Sequence, residues 1–376
     1  MDLFFSRATN LFKSDSVKHD NSLFRLHHQV NYFFVLVGVL FIFGQNHFGS
    51  PIKCYNTDDS YVEQYCWFHG SGHLHIDLSK KVSGCVAYQK QEGFGEGDQR
   101  HTRYYLWLPF TLGLCLAIIK TPRFIWKHGC EGGILSSILD NDTPKEMAAR
   151  IKELKRGGTR KYFLSFIFCE ILNILSIVLC MITLNALLGG NFWNYGTEVL
   201  KFYSDTEEDR LNKVSLQGEL VNPMCNVFPT EVSCNVYFGA LQGEIQIENK
   251  LCMLSNNIFN QYYFFVLWFW WVILLTLSLV FLVYRLIYLT VSSFPVVLLK
   301  NSLSHQGFKL DQDNTDFFQK QKQWDAFLLM QITGNLNSRN TKHLLDEMIN
   351  QEIRNTNHIE KGQEGLPLYE TQICMD

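Results

Sequence analysis

Residues 262–284 read YYFFVLWFWWVILLTLSLVFLVY, a run without one charged side chain. A helix needs about 20 apolar residues to cross the ~30 Å of hydrocarbon in a bilayer, and this run is long enough to do so. Three further stretches of similar length and apolarity lie upstream, at 30–48, 105–125 and 163–189. Charged residues make up only 18% of the chain, yet they concentrate between these stretches, so the connections are ordinary polar protein. The pattern predicts a four-span membrane protein with substantial parts outside the hydrocarbon.

The connecting segments differ in charge. Between spans two and three lie Arg123, Lys127, Lys145, Arg150, Lys152, Lys155, Arg156, Arg160 and Lys161. Between spans three and four the cations are Lys201, Arg210, Lys213 and Lys250, set against an acidic run at Glu207, Glu208 and Asp209. Lys and Arg favour the cytoplasmic side of a span, so both termini are expected inside, with the loops 49–104 and 190–261 outside. The first 29 residues carry several charges, and no small-residue cleavage site follows span one, so a removable signal peptide is not expected.

Cysteines point the same way. Cys54, Cys66 and Cys85 fall in the first outside loop and Cys225, Cys234 and Cys252 in the second, where disulfides persist. Cys115, Cys130, Cys169, Cys180 and Cys374 fall in spans or inside segments and are expected to be thiols. Count and spacing alone leave the connectivity open. The two loops are long and rich in aromatic residues, and are expected to fold together as one small domain with strand character near 244–247 and helix near 191–203. The inside loop reads as helical over 144–156, with Thr143 as N-cap, Pro144 at the first position, and Gly157 and Gly158 ending it. Helical spacing recurs at 316–332 and 341–354, so residues 126–162 and 285–376 are expected to supply a cytoplasmic helical layer.

Catalytic motifs are weak. Gly93, Gly95 and Gly97 follow no strand and read as a turn rather than a phosphate cradle. His69, His73 and His75 lack a clearly spaced carboxylate or thiol to complete a metal site. No convincing nucleophile appears, so neither an enzyme nor a cofactor, metal or nucleic-acid partner is expected. His27 and His28 near span one read first as interfacial residues, with proton sensing as the sharper alternative.

Residues 104–110 read YYLWLPF at the mouth of span two, where Tyr104, Tyr105 and Trp107 suit a headgroup boundary. Pro109 frees a backbone carbonyl and should kink the helix unless a neighbour re-satisfies that group. These residues resemble the innexin signature Tyr-Tyr-Gln-Trp followed by an aliphatic residue, Pro and an aromatic, with Leu106 standing where the signature has Gln. Pro51-Ile52-Lys53-Cys54 and Tyr65-Cys66-Trp67 resemble the first outside loop of that family. Val227-Phe228-Pro229, Leu251-Cys252 and Asn257-Ile258 resemble the second. Each loop carries one cysteine beyond the family's usual two.

The resemblance implies an all-α membrane protein: a four-transmembrane-helix bundle with a small disulfide-stapled extracellular α+β domain and a helical cytoplasmic domain, assembled as an oligomeric ring. It implies a plasma-membrane channel subunit, in a homo-oligomer or a mixed ring of related subunits, working as a hemichannel or docked with an apposed hemichannel as a gap junction. The alternative is a four-span adhesion or scaffold protein that does not conduct. Within the resemblance, residues 1–29 form the pore segment, with Asp2, Leu3 and Phe4 as the narrowest ring; an Asp2 ring favours cations and Arg7 offsets it, which leaves the selectivity open.

Distance from the membrane then pairs Cys54 with Cys252, next to spans one and four, and Cys66 with Cys234 further out. Cys85 and Cys225 remain as a third bridge. Lys120 and Glu170 are the intramembrane charges, expected either to pair or to act separately, with Lys120 snorkelling. The basic run 150–161 reads first as a solvated helix face, with contact to anionic lipid or a regulatory partner as the sharper alternative.

Overall fold

The computed structural model describes residues 21–57, 59–69, 104–140, 143–205, 222–239, 243, 245–291, 293–308 and 317–363, with the side chains of 355–363 left aside. Four helices are long and apolar enough to cross a membrane: α1 (Ser22–Phe48), α3 (Tyr104–Cys130), α6 (Thr159–Leu187) and α9 (Ser255–Thr290). Their exposed faces are apolar. On α6 the exposed residues include Leu164, Phe168, Ile171, Leu175, Leu179 and Ile182, spaced by three and four. On α9 they include Val266, Ile273, Leu277 and Val280. A water-facing helix places charge on such a face, so these stripes are built for lipid or another apolar surface.

The described chain divides into two compact units. One spans Leu23–Pro122 and Leu172–Leu279. Its helical core joins Val35 and Ile42 of α1, Leu108, Leu112 and Cys115 of α3, Ile177, Cys180 and Leu184 of α6, and Phe264, Leu267 and Trp271 of α9. Close approach is bought by Gly38, where a Cβ would fall 2.1 Å from the Tyr263 hydroxyl. The same unit carries a three-stranded antiparallel sheet of β1 (Ile52–Cys54), β2 (Glu231–Gly239) and β3 (Ile245–Leu254) in the order β1-β3-β2. Helices α2 (Ser60–His69), α7 (Tyr195–Ser204) and α8 (Pro223–Val227) complete it.

The second unit comprises Met1–Ser22, Arg123–Ile171 and Val280–Asp376. It holds α4 (Ile134–Leu139), α5 (Pro144–Lys155), α10 (Ser293–His305), α11 (Gln323–Thr333) and α12 (Ser338–Gln363). Within it α10 packs on α11, and α5 on both α4 and α12. Thr143 caps α5 by accepting the Glu146 N–H at 3.4 Å. The carboxylate of buried Glu131 accepts the Gly133 and Leu135 N–H groups at 3.0 and 2.8 Å and so caps α4, a role not read from the sequence. Its core is aromatic: Trp126, Tyr162, Phe163, Phe166, Tyr288 and Phe327 are buried and in ring contact.

Helix α1 begins at Ser22, eight residues before the start expected at 30, because the polar residues of its first turns face inward and find partners. His27 Nε2 lies 2.7 Å from Ser278 Oγ, and His28 Nδ1 lies 2.7 Å from the Phe24 carbonyl. Asn31, fully buried, accepts the indole N–H groups of Trp270 and Trp271 at 3.1 and 3.0 Å. Both histidines are thus buried residues of the helix rather than interfacial ones.

Candidate functional site

Two disulfides staple the sheet, one between its own strands and one to α2. Cys54 and Cys252 face each other across the β1/β3 ladder and form a disulfide. Cys66 of α2 and Cys234 of β2 form a second. Each bond joins one loop to the other, across sequence separations of 198 and 168 residues. The Sγ atoms of Cys54, Cys66 and Cys252 lie within 4.8 Å of one another. All three are disulfide sulfurs and none is a thiolate, so this cluster is covalent in nature and offers no metal-ligand set. Cys225 is also disulfide-bonded; Cys85, its expected partner, lies outside the described residues. Among the described residues, Cys115, Cys130, Cys169 and Cys180 are free thiols.

The aromatic motif that opens α3 locks the helix onto this sheet. Tyr105 stacks on Trp67 with centroids 4.4 Å apart and donates its hydroxyl to the Trp67 carbonyl at 3.2 Å. The Tyr104 hydroxyl accepts the Asn257 side-chain amide at 2.8 Å, and that amide also donates to the Pro229 carbonyl at 2.6 Å. Pro109 denies a donor to the Tyr105 carbonyl four residues earlier; Asn46 Nδ2 supplies one at 3.5 Å, and Asn256 in turn donates to Asn46 Oδ1 at 2.6 Å. With that group answered from α1, α3 runs on as one helix through Pro109 and Pro122. Trp107 stays exposed and lines a cavity of about 750 Å³ with Asn46, His47, Trp67, Pro109 and Phe110. In the helical core the Tyr195 hydroxyl donates to the Gln261 carbonyl at 2.9 Å, and burial holds its ionisation above the usual tyrosine range. His69 stacks on Tyr65; His73, His75 and Gly93, Gly95 and Gly97 lie outside the described residues.

The two membrane charges take different partners from the one expected. Glu170 of α6 is paired with Arg285 of α9 through Nε to Oε2 at 3.0 Å and Nη2 to Oε1 at 3.2 Å. The Arg285 and Glu170 side chains are only 8% and 10% exposed. Lys120 instead donates to the His28 carbonyl at 3.0 Å and lies 4.1 Å above the Tyr32 ring. This corrects the Lys120–Glu170 pair. The reason is geometric: apolar α9 continues past residue 284 through Leu286, Ile287 and Leu289, so Arg285 is inside the helix rather than beyond its end. A fork-shaped guanidinium also matches a carboxylate in a way an ammonium does not. Arg285 further lies over Phe166, Tyr284 and Phe327, at 5.3, 5.8 and 5.2 Å from the ring centroids. Asp2, Leu3 and Phe4 lie outside the described residues.

Four apolar helices, two inter-loop disulfides and a tyrosine pair fastening the second helix to the sheet coincide with one family model, Innexin, which matches residues 20–352. The chain belongs to the innexin family. It is 26% identical to Innexin shaking-B of Drosophila melanogaster, over 96% of this chain and 98% of that protein. It is 30% identical to Innexin inx1 of Schistocerca americana, over 76% and 81% respectively. With Innexin inx3 of Drosophila melanogaster it shares 25% identity over 89% and 85%. Innexins are gap-junction channel subunits, and this innexin has the apolar helices that such a subunit needs to span the bilayer. Nothing in its fold or family favours a non-conducting adhesion protein.

Proposed function

We propose that this innexin assembles with identical or related subunits into a ring around an aqueous pore, and that the ring acts as a hemichannel and docks with an apposed ring. Transport is passive diffusion of ions and small metabolites, without a catalytic step. Both termini lie inside, and the loops bearing Cys54, Cys66, Cys234 and Cys252 lie outside. The observation that carries this reading is the pair of disulfides, because each ties the segment between α1 and α3 to the strands leading into α9. Disulfides persist in oxidising surroundings, and the basic residues between α3 and α6 favour the opposite side.

In this reading Asp2, Leu3 and Phe4 form the narrowest ring, and carboxylates there favour cations. The basic run 150–161 contacts anionic lipid headgroups. Dye uptake by single cells together with electrical coupling between paired cells tests the proposal. Uptake without coupling assigns the hemichannel role alone, and coupling assigns docking as well. Surface-resident rings that give neither uptake nor coupling would refute it.

A further inference from the structure

We propose that the cavity of about 750 Å³ between α1, α2 and α3 binds the quaternary ammonium headgroup of a zwitterionic phospholipid, whose acyl chains run down the exposed face of α3. Placing that lipid in the outer leaflet rests on the orientation proposed above; the site itself does not.

Three elements build the cavity. His47 comes from the last turn of α1, Trp107 and Phe110 from the first turns of α3, and Glu63, Trp67 and Phe68 from one face of α2. Its volume is that of a small-molecule site, for which ~300 to ~1,000 Å³ is usual. It opens where two apolar helices leave the hydrocarbon, at the headgroup depth where exposed tryptophans such as Trp107 collect.

Charge decides the sign of the ligand. Glu63 is the one carboxylate among the described lining residues, and no Lys or Arg joins it there. Among the described residues its carboxylate has neither an ion pair nor a hydrogen-bond partner, so the cavity favours a cation. The rings decide which cation. Trp107 and Phe110 have centroids 6.2 Å apart and planes inclined by 59°, an angled wall on which one cation lies within reach of both. Trp67 is held in place by stacking on Tyr105 at 4.4 Å. A quaternary ammonium has no N–H to donate and gains from aromatic faces, whereas a primary ammonium is strongly hydrated and keeps its water.

The continuation of the site makes the source a lipid rather than a free cation. Trp107, Phe110 and Leu114 are exposed and lie three and four residues apart on α3, so an apolar stripe leads from the cavity into the span. Only a ligand with hydrocarbon chains uses that stripe.

The test is native mass spectrometry of the full-length channel after exchange into an equimolar mixture of phosphatidylcholine, phosphatidylethanolamine and phosphatidylglycerol with matched chains. Phosphatidylcholine is expected to be retained over the other two. Trp107→Leu and Glu63→Gln are each expected to lower its retention roughly threefold to tenfold, the loss of one cation–π or charge contact, and to leave phosphatidylglycerol unchanged. Phe168→Leu, on the exposed stripe of α6, should alter none of the three. Unfolding midpoints are measured in parallel, and Phe110→Leu replaces Trp107→Leu if that variant folds poorly. Equal retention of the three lipids, or phosphatidylcholine retention indifferent to both substitutions, would overturn the site. Tetramethylammonium separates the two sources of the cation. Displacement of phosphatidylcholine by it supports the headgroup assignment. Tetramethylammonium binding that needs Glu63 and Trp107, without any preference for phosphatidylcholine, would give the cavity to free cations and overturn the lipid.

Discussion

The sheet-bearing unit and the helical unit solve the same problem with different chemistry. In the first, segments distant in sequence are joined by covalent bonds, Cys54–Cys252 and Cys66–Cys234, and by neutral hydrogen bonds such as Tyr105 to Trp67. In the second, distant segments are joined by a buried ion pair, Glu170–Arg285, set among aromatic rings. Its cysteines Cys130 and Cys169 stay as thiols. The difference teaches that each unit uses the cross-link its proposed compartment permits: oxidised sulfur outside, and charge and packing inside.

The sharpest way to break this comparison is to remove one charge. Arg285→Met leaves Glu170 buried without its partner and is expected to cost ~3–5 kcal/mol, measured as a fall in the thermal unfolding midpoint of the purified channel. Adding Glu170→Leu should recover most of that loss, since two apolar side chains can replace a buried pair. A single substitution no worse than the double would show that the ion pair is not what holds this region.

Next in size is the covalent link. Cys66→Ser is expected to cost ~2–5 kcal/mol and to reduce folded channel at the surface. Reductant should then lower the stability of the wild type far more than that of a variant already lacking both bridges. If reductant is equally harmful to both, the contrast between the two units dissolves.

Smaller effects sharpen the account of the motif. Asn46→Ala leaves the Tyr105 carbonyl beside Pro109 without the Asn46 donor and is expected to cost ~1–3 kcal/mol, with Tyr105→Phe nearer ~1 kcal/mol. Unfolding midpoints of the two variants, compared in one detergent, give the order directly.

The smallest effect belongs to Lys155, which donates to Gln321 and lies over Phe317. Burial lowers its affinity for a proton, against the pull of Asp325 and Glu352. The unfolded chain then binds that proton more tightly than the folded one. Stability should therefore rise as pH climbs from the lowered folded value towards the usual 10.5, where the folded group has lost its charge. Lys155→Met should flatten that rise, read as the dependence of the unfolding midpoint on pH. An unchanged pH slope in this variant would contradict the assignment.

Much of this is legible in the amino-acid sequence. Uncharged runs such as 262–284 have few alternatives to a membrane helix, and YYLWLPF carried the family resemblance. Thr143 and Pro144 marked the start of α5 because capping is local chemistry. What escaped were features that depend on partners distant in sequence. His27 looks too polar for a span until Ser278 is placed beside it, and the two indoles that meet Asn31 come from α9. Arg285 ended the expected span because a charge normally does, and only Glu170 and three rings make it a resident of the helix. Pro109 looked like a kink because the donor that answers it, Asn46, comes from another helix. The signal that could have found Arg285 was the apolar run continuing after it.

The central claim is that the two loops are stitched to each other into one cap beside the spanning helices. Peptide mapping without reduction, on channels recovered from the cell surface, tests it most directly. The account predicts fragments joining Cys54 to Cys252 and Cys66 to Cys234, so that every mapped bridge between these four residues contains one cysteine from each loop. A fragment joining Cys54 to Cys66, or Cys234 to Cys252, would contradict it.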